Sequence, residues 1–350
     1  MQVTGTRQLE AWRQREFPPV EEVTSGVWSV PVPIPNSPLR YVLSYLIEHP
    51  SGFVMVDTGW DHPDSWTALV DGLKTCDIPM SAVTAVLITH VHPDHHGLSA
   101  AVREQSGAWI GMHEREDALL TRMAFQSDER QHWSAFLHWC GAPAAHTEEL
   151  ISLRRSDGRR EIPRADRTIA HGDLVDVAGL RLRAIWTPGH TPGHLCFHDE
   201  TRDLMLTGDH VLPRITPNIS AFDRESRPLA DYLRSLDALR GIQPGDVLPA
   251  HEYRFTDLDS RVEAISAHHA QRLAEISSVL GAAPAGLSAW QVAERVTWSR
   301  GWDQLSGFPR QSALGEVIAH LRQLQDDGTA RCADTGGVGS WQPAGSQGRR

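Results

Sequence analysis

The feature that most constrains this chain is the run Thr89-His90-Val91-His92-Pro93-Asp94-His95-His96-Gly97, which follows the apolar stretch Ala82–Ile88 and precedes a helix-like segment. His90, His92, Asp94 and His95 fall within six positions at a strand end, where they can converge on metal ions. Imidazole together with carboxylate suits zinc, iron or manganese. In an extended loop, side chains two residues apart point the same way, so His90 and His92 face one point. Asp94 and His95 sit where the chain turns into the helix and aim at a second point nearby. One histidine in a polar loop would be incidental; this density is not. Three further candidates stand at similar places: His190 after LRLRAIW, Asp209 after DLMLTG and His251 after DVLP. Layered α/β folds gather ligands along such an edge.

The segments around these positions read as sheets and helices. VWSVPVPI, YVLSYLIEH and GFVMVDTG are short apolar or alternating runs broken by turn residues, a meander of antiparallel strands. A helix is expected near Pro63–Lys74, a strand at Ala108–Glu114, and helices across 116–152. The polar stretch Arg154–Thr168 reads as loop. Strand character returns from about Ala165 to Leu212, with DETRD as a hairpin turn, followed by a helix at Leu229–Leu239 and a strand at Val247–Glu252. Two β-rich halves with helices imply a sheet-on-sheet core flanked by helices, an α/β (α+β) fold. From Asp259 the texture changes to a long amphipathic helix, two more helices and a Gly-Gly hairpin, a winged-helix-like order. The expected division is a catalytic domain over 1–260, with a helical lid at about 116–152, and a C-terminal domain over 261–350.

Composition excludes several classes. The 350 residues carry 44 acids against 33 bases, net −11, which disfavours attraction to a phosphate backbone. No apolar run approaches the roughly 18 residues of a membrane span, and no signal peptide is visible, so a cytoplasmic protein is expected. Cys76, Cys140, Cys196 and Cys332 are scattered without a CxxC pair, which reads as reduced, buried residues.

HVHPDH, followed in order by His190, Asp209 and His251 and preceded by Asp57 in VMVDTG, resembles the metallo-β-lactamase superfamily over roughly residues 25–255. The resemblance implies an αββα sandwich with a dinuclear site at one edge. Carried over by position, it implies that His90, His92 and His190 hold a first divalent ion, that Asp94, His95 and His251 hold a second, and that Asp209 bridges them, with Asp57 bracing the loop. Zinc is the first choice, iron or manganese the alternatives. The implied activity is a hydrolase using a metal-bridging hydroxide on an ester-like bond. Asp94 is the expected proton acceptor; His210 is either a proton donor or a buried packing histidine. His96 and His194 are read as non-ligands.

Within the superfamily the tail resembles a glyoxalase II-like branch with a winged-helix-like domain. Thioester or lactone hydrolysis of a small or acyl substrate is the first expectation. The alternatives are a phosphodiesterase or endoribonuclease and a mononuclear iron, persulfide dioxygenase-like enzyme. Trp60, Met123, Phe125 and Ile215 are candidate pocket walls. Trp133, Phe136 and Trp139 either line a lid or pack the helices. The arginines at 154, 155, 159 and 160 either meet an anionic group or are solvated. A small-molecule partner and a homodimer are expected, with no nucleic acid or membrane.

Overall fold

The computed structural model describes residues 1–125, 129–152 and 162–344, without the side chains of 123–125 and 129. Met123, Phe125 and the four arginines of 154–160 therefore lie outside what is described. The chain divides into two compact units, the first made of Met1–Phe125, Gly158–Pro217 and Ser235–Glu263.

The first unit contains β1 (Gln2–Val3), α1 (Thr6–Gln14), β2 (Glu21–Thr24), β3 (Val27–Pro33), β4 (Tyr41–His49), β5 (Gly52–Val56), α2 (Pro63–Thr75), β6 (Val83–Leu87), α3 (Pro93–His96), α4 (Ser99–Ser106), β7 (Trp109–Met112) and α5 (Glu114–Phe125). After the insertion come β8 (Arg167–Thr168), β9 (Leu182–Trp186), β10 (Leu195–Asp199), β11 (Leu204–Gly208), β12 (Asp246–Pro249) and β13 (Phe255–Thr256). One sheet runs β2-β3-β4-β5-β6-β7-β8 and the other β1-β13-β12-β11-β10-β9. Short turns join β2 to β5, so those strands are antiparallel; the crossovers through α2 and α4 make β5, β6 and β7 parallel.

Strand alternation builds two cores. Tyr41, Leu43, Tyr45 and Ile47 of β4 face Leu195, Phe197, Leu206 and Leu248 of the other sheet. Val42 and Leu46 point the opposite way and pack with Leu69 and Leu73 of α2, Val102 of α4 and Leu120 of α5. Both faces of β4 are thus covered, which is why its sequence is almost uninterruptedly apolar. The outward residues of the second sheet, Cys196, Met205 and Val247, are also buried. The expected layered sandwich is present.

The second unit gathers Gln126–Asp157, Asn218–Arg234 and Ala264–Arg350. It holds α6 (Glu129–Trp139), α7 (Ala144–Ser152), α10 (Ala289–Ala293), α11 (Gly307–Asp326) and the hairpin β14 (Ala330–Thr335)–β15 (Val338–Pro343). Two helices start in one unit and end in the other: α8 (Pro228–Leu239) and α9 (Leu258–Gly281). Trp133 meets Phe136 and Phe222, and Trp139 meets Phe136 and Trp341, so these aromatic rings pack this unit's own core.

Two expectations shift. Within the stretch read as loop, Arg167–Thr168 forms an edge strand on β7. Its pairing uses backbone groups alone and leaves the side chains exposed, so it has no apolar pattern to read. The first of the two helices expected after the long one is short, Ala289–Ala293, and begins at a capping box between Ser288 and Gln291. Among the described residues, no helix is long and apolar enough to cross a membrane.

Candidate metal centre

Strands β9, β11 and β12 of the second sheet run parallel to one another, and the loops that follow them meet the loop that follows β6 of the first sheet. His92 Nδ1 lies 2.9 Å from His90 Nε2 and 3.0 Å from His190 Nε2. His251 Nε2 lies 3.1 Å from Asp209 Oδ1 and 3.6 Å from Asp94 Oδ2. His95 Nε2 stands 3.6 Å from the same Asp209 oxygen, while Asp209 Oδ2 is 3.6 Å from His190 Nε2. Three clusters could each hold an ion: His90, His92 and His190; His90, His95 and Asp209; Asp94, His95 and His251. All seven candidate positions, separated by up to 161 residues, come together.

The rings are held by their far nitrogens. His95 Nδ1 bonds Asp57 Oδ2 at 2.7 Å, and His251 Nδ1 donates to the Tyr41 carbonyl at 2.8 Å. Both Nε2 atoms are thereby turned inward. They are buried, as is Asp209 Oδ1, and none of the three makes a well-aligned hydrogen bond among the described residues. Buried polar atoms left this way are costly, and a cation would satisfy them. The donor set of imidazole nitrogens and carboxylate oxygens fits a divalent metal of the zinc, iron or manganese type.

The charges divide the cluster in two. Burial, and then His190 beside it, push His92 down to about 3, so this ring offers a neutral lone pair. Burial, with His95 and His92 nearby, also holds His90 well below its usual range. On the other side, burial opposes charge on His95, but Asp57, Asp94 and Asp209 outweigh it and raise the ring. Asp209 stays anionic against its own burial because His251 and His95 face it.

A metallo-beta-lactamase superfamily model matches residues 37–251, more than half of the chain. The chain belongs to the metallo-β-lactamase superfamily. Among curated relatives, it is 27% identical over 280 residues to the probable metallo-hydrolase YqjP of Bacillus subtilis (strain 168), covering 78% of this chain and 85% of that protein. It is 24% identical over 349 residues to the atrochrysone carboxyl ACP thioesterase dmxR1 of Cryptosporiopsis sp. (strain 8999), covering 94% and 89%. Among solved structures, the metallo-beta-lactamase family protein TTHA1429 of Thermus thermophilus aligns with TM-score 0.77 and 29% identity, over 92% of this chain and 100% of that one. By class the protein is a metal-dependent hydrolase, of a superfamily that binds divalent metals.

Around the seven candidate positions the other expected residues fall as follows. His96 has both ring nitrogens engaged, with Ser99 Oγ at 2.6 Å and the Pro163 carbonyl at 2.9 Å. His194 bonds Thr187 Oγ1 and accepts from the Asp209 backbone N–H at 3.2 Å. Gly208 sits at φ 50°, and a Cβ there would come within 2.7 Å of His194 Nε2, so the step into Asp209 needs glycine. His210 is wholly buried with its ring 5.7 Å from that of His194, and burial, then His190, push it down to about 3. Trp60 is half-buried against the helix-side core. Ile215 is half-buried, its carbonyl accepting from Arg261 Nη2 at 2.7 Å.

Two residues escaped the sequence reading. Glu116, in the first turn of α5, is fully buried and accepts from the backbone N–H groups of Val91 and Gly193. Glu252, at φ 70°, is buried beside His251 and pairs with Arg214 at 2.6 Å. The signal for Glu252 was its adjacency to a ligand candidate; Glu116 carried none, being one of three acids in the run EREDALL.

Proposed function

We propose that this chain is a dinuclear-metal hydrolase of ester-like bonds, with acyl thioesters as its first substrate class and lactones as its second. The observation that carries the reading is the convergence of seven side chains around two buried nitrogens and a carboxylate oxygen that make no well-aligned hydrogen bond among the described residues. In this reading His90, His92 and His190 hold one ion, Asp94, His95 and His251 hold the other, and Asp209 serves both. Zinc is the first candidate. Such a pair, when bound, acidifies water towards neutral pH and polarises the substrate carbonyl.

The protein's own groups supply the rest. Asp94 is the least buried of the cluster's acids, its side chain 13% exposed against 9% for Asp209. It is therefore the carboxylate best placed to take a proton from water and pass it to a departing thiol or alcohol. Asp57 and the Tyr41 carbonyl hold His95 and His251 in one tautomer and orientation. Thr89 Oγ1 stands 3.1 Å from His90 Nδ1 and does the same there. His210, wholly buried and neutral, takes a packing role beside His194. Trp60 and Ile215, both half-buried, are the described candidates to contact the acyl group.

Support for the substrate class is the thioesterase named among the relatives and the chain's net charge of −11, which argues against a phosphate-backbone substrate. The test is metal analysis on purified protein, followed by a screen of acyl thioesters, lactones and phosphodiesters. About two zinc per chain with thioester cleavage is expected. One iron per chain, or phosphodiester cleavage alone, would replace this reading.

A further inference from the structure

We propose that Glu116 is a positioning residue that fixes the separation of the two loops carrying the first ion's three histidines; the proposal rests on the metal-centre reading above. The Val91 N–H donates to Glu116 Oε2 at 2.8 Å, and the Gly193 N–H donates to Glu116 Oε1 at 2.6 Å. Val91 lies between His90 and His92, on the loop that leaves β6 of the first sheet. Gly193 lies three residues after His190, on the loop between β9 and β10 of the second sheet. One carboxylate therefore ties both sheets together beside the first ion's ligands.

The surroundings fit a built strut rather than an accidental contact. Glu116 is fully buried, and burial raises its carboxyl against the Val91 and Gly193 N–H groups that donate to it. Both donors belong to the two loops that carry the histidines. A buried carboxylate is expensive unless such donors, or a positive charge nearby, compensate it. The approach at Gly193 is so close that a Cβ there would lie 2.7 Å from Glu116 N and 2.9 Å from its Cγ. The base of the strut is firm, because the Glu116 N–H donates to the His113 carbonyl at 3.0 Å and the His113 ring stacks on Trp186, their centroids 5.2 Å apart. Asp57 supplies the counterpart for the second ion: it accepts from the Thr89 N–H and hydroxyl and bonds His95. The loop after β6, which carries candidate ligands of both ions, is then braced by both carboxylates.

The test compares wild type, Glu116→Gln and Glu116→Asp. Gln keeps the shape but turns an NH2 group towards one of the two N–H donors, so one bond is lost. Asp keeps the charge but falls one methylene short. Zinc is titrated against a chromophoric chelator, and the metal-free proteins are melted and their backbone amide resonances recorded. The expected result is that one of two zinc equivalents binds about 10–100-fold more weakly in both variants. In addition, kcat should fall with little change in KM, metal-free melting should stay near wild type, and the Val91 and Gly193 amide protons should move upfield in the Gln variant. Wild-type zinc affinity in a folded Gln variant overturns the proposal, and if that variant does not fold, the Asp variant decides by the same criterion. A wild-type protein that binds no zinc, manganese or iron overturns the metal centre itself, and with it this role.

Discussion

Asp57 sits at φ 57°, a left-handed conformation that non-glycine residues adopt mainly when surrounding bonds enforce it. Here the Thr89 N–H, the Thr89 hydroxyl and His95 Nδ1 enforce it. Asp57→Asn cannot accept from all three, because its amide must oppose a donor. It should weaken metal binding by about 10–100-fold, read by chelator competition, while the fold is kept. Asp94→Ala should lower kcat/KM by about 10²–10⁴ without a matching loss of metal-free melting temperature. Turnover within about twofold of wild type would remove Asp94 from the mechanism. At this scale the sequence was informative where residue type and strand-end placement coincide, as at His90 to His95, His190, Asp209 and His251. It was silent at Glu116, whose partners are backbone N–H groups 25 and 77 residues away and leave no trace in side-chain pattern.

Elements followed their periodicity where an apolar face was buried. The α2 helix, expected at Pro63–Lys74, spans Pro63–Thr75, and β4 spans the whole of YVLSYLIEH. The edge strand Arg167–Thr168 was illegible because only its backbone pairs. In the second unit, α11 carries His320, whose Nδ1 donates to the Glu316 carbonyl at 2.7 Å and whose Nε2 meets His269 Nδ1 of α9 at 3.1 Å. Burial pushes His320 down to about 4, and burial, with His320 next, pushes His269 to about 2. Both are neutral when folded and titrate near 6.5 when unfolded. The unfolded chain therefore binds more protons between those limits, and stability rises with pH there. It is fully present above about 6.5 and is lost as pH falls towards 4, at roughly 1.4 kcal/mol per pH unit for each ring. Hydrogen exchange of the α11 amides, followed from about pH 7 to about pH 4.5, should show the loss, and His320→Gln should reduce its slope to about that of one ring.

For the whole molecule, the sheet-on-sheet fold was readable because two β-rich halves repeat the same rhythm of strands and helices. The grouping of 126–157 and 218–234 with the C-terminal segments was not readable, since it depends on contacts such as Trp133 with Phe222 and Trp139 with Trp341, between residues far apart in sequence. Stripping divalent metal should lower the melting temperature, because an ion that binds only the folded state adds about 2.7 kcal/mol per site at a hundred times its dissociation constant. A thermogram unchanged by chelation would mean the cluster holds nothing. The candidate ligands come from both layers: His90, His92, Asp94 and His95 follow β6, whereas His190, Asp209 and His251 follow β9, β11 and β12. A cation seated among them is a rivet through the two plates of the sandwich. A newly made chain short of metal would keep the apolar core between the plates but lack this added fastening, and cellular proteases would meet a looser substrate.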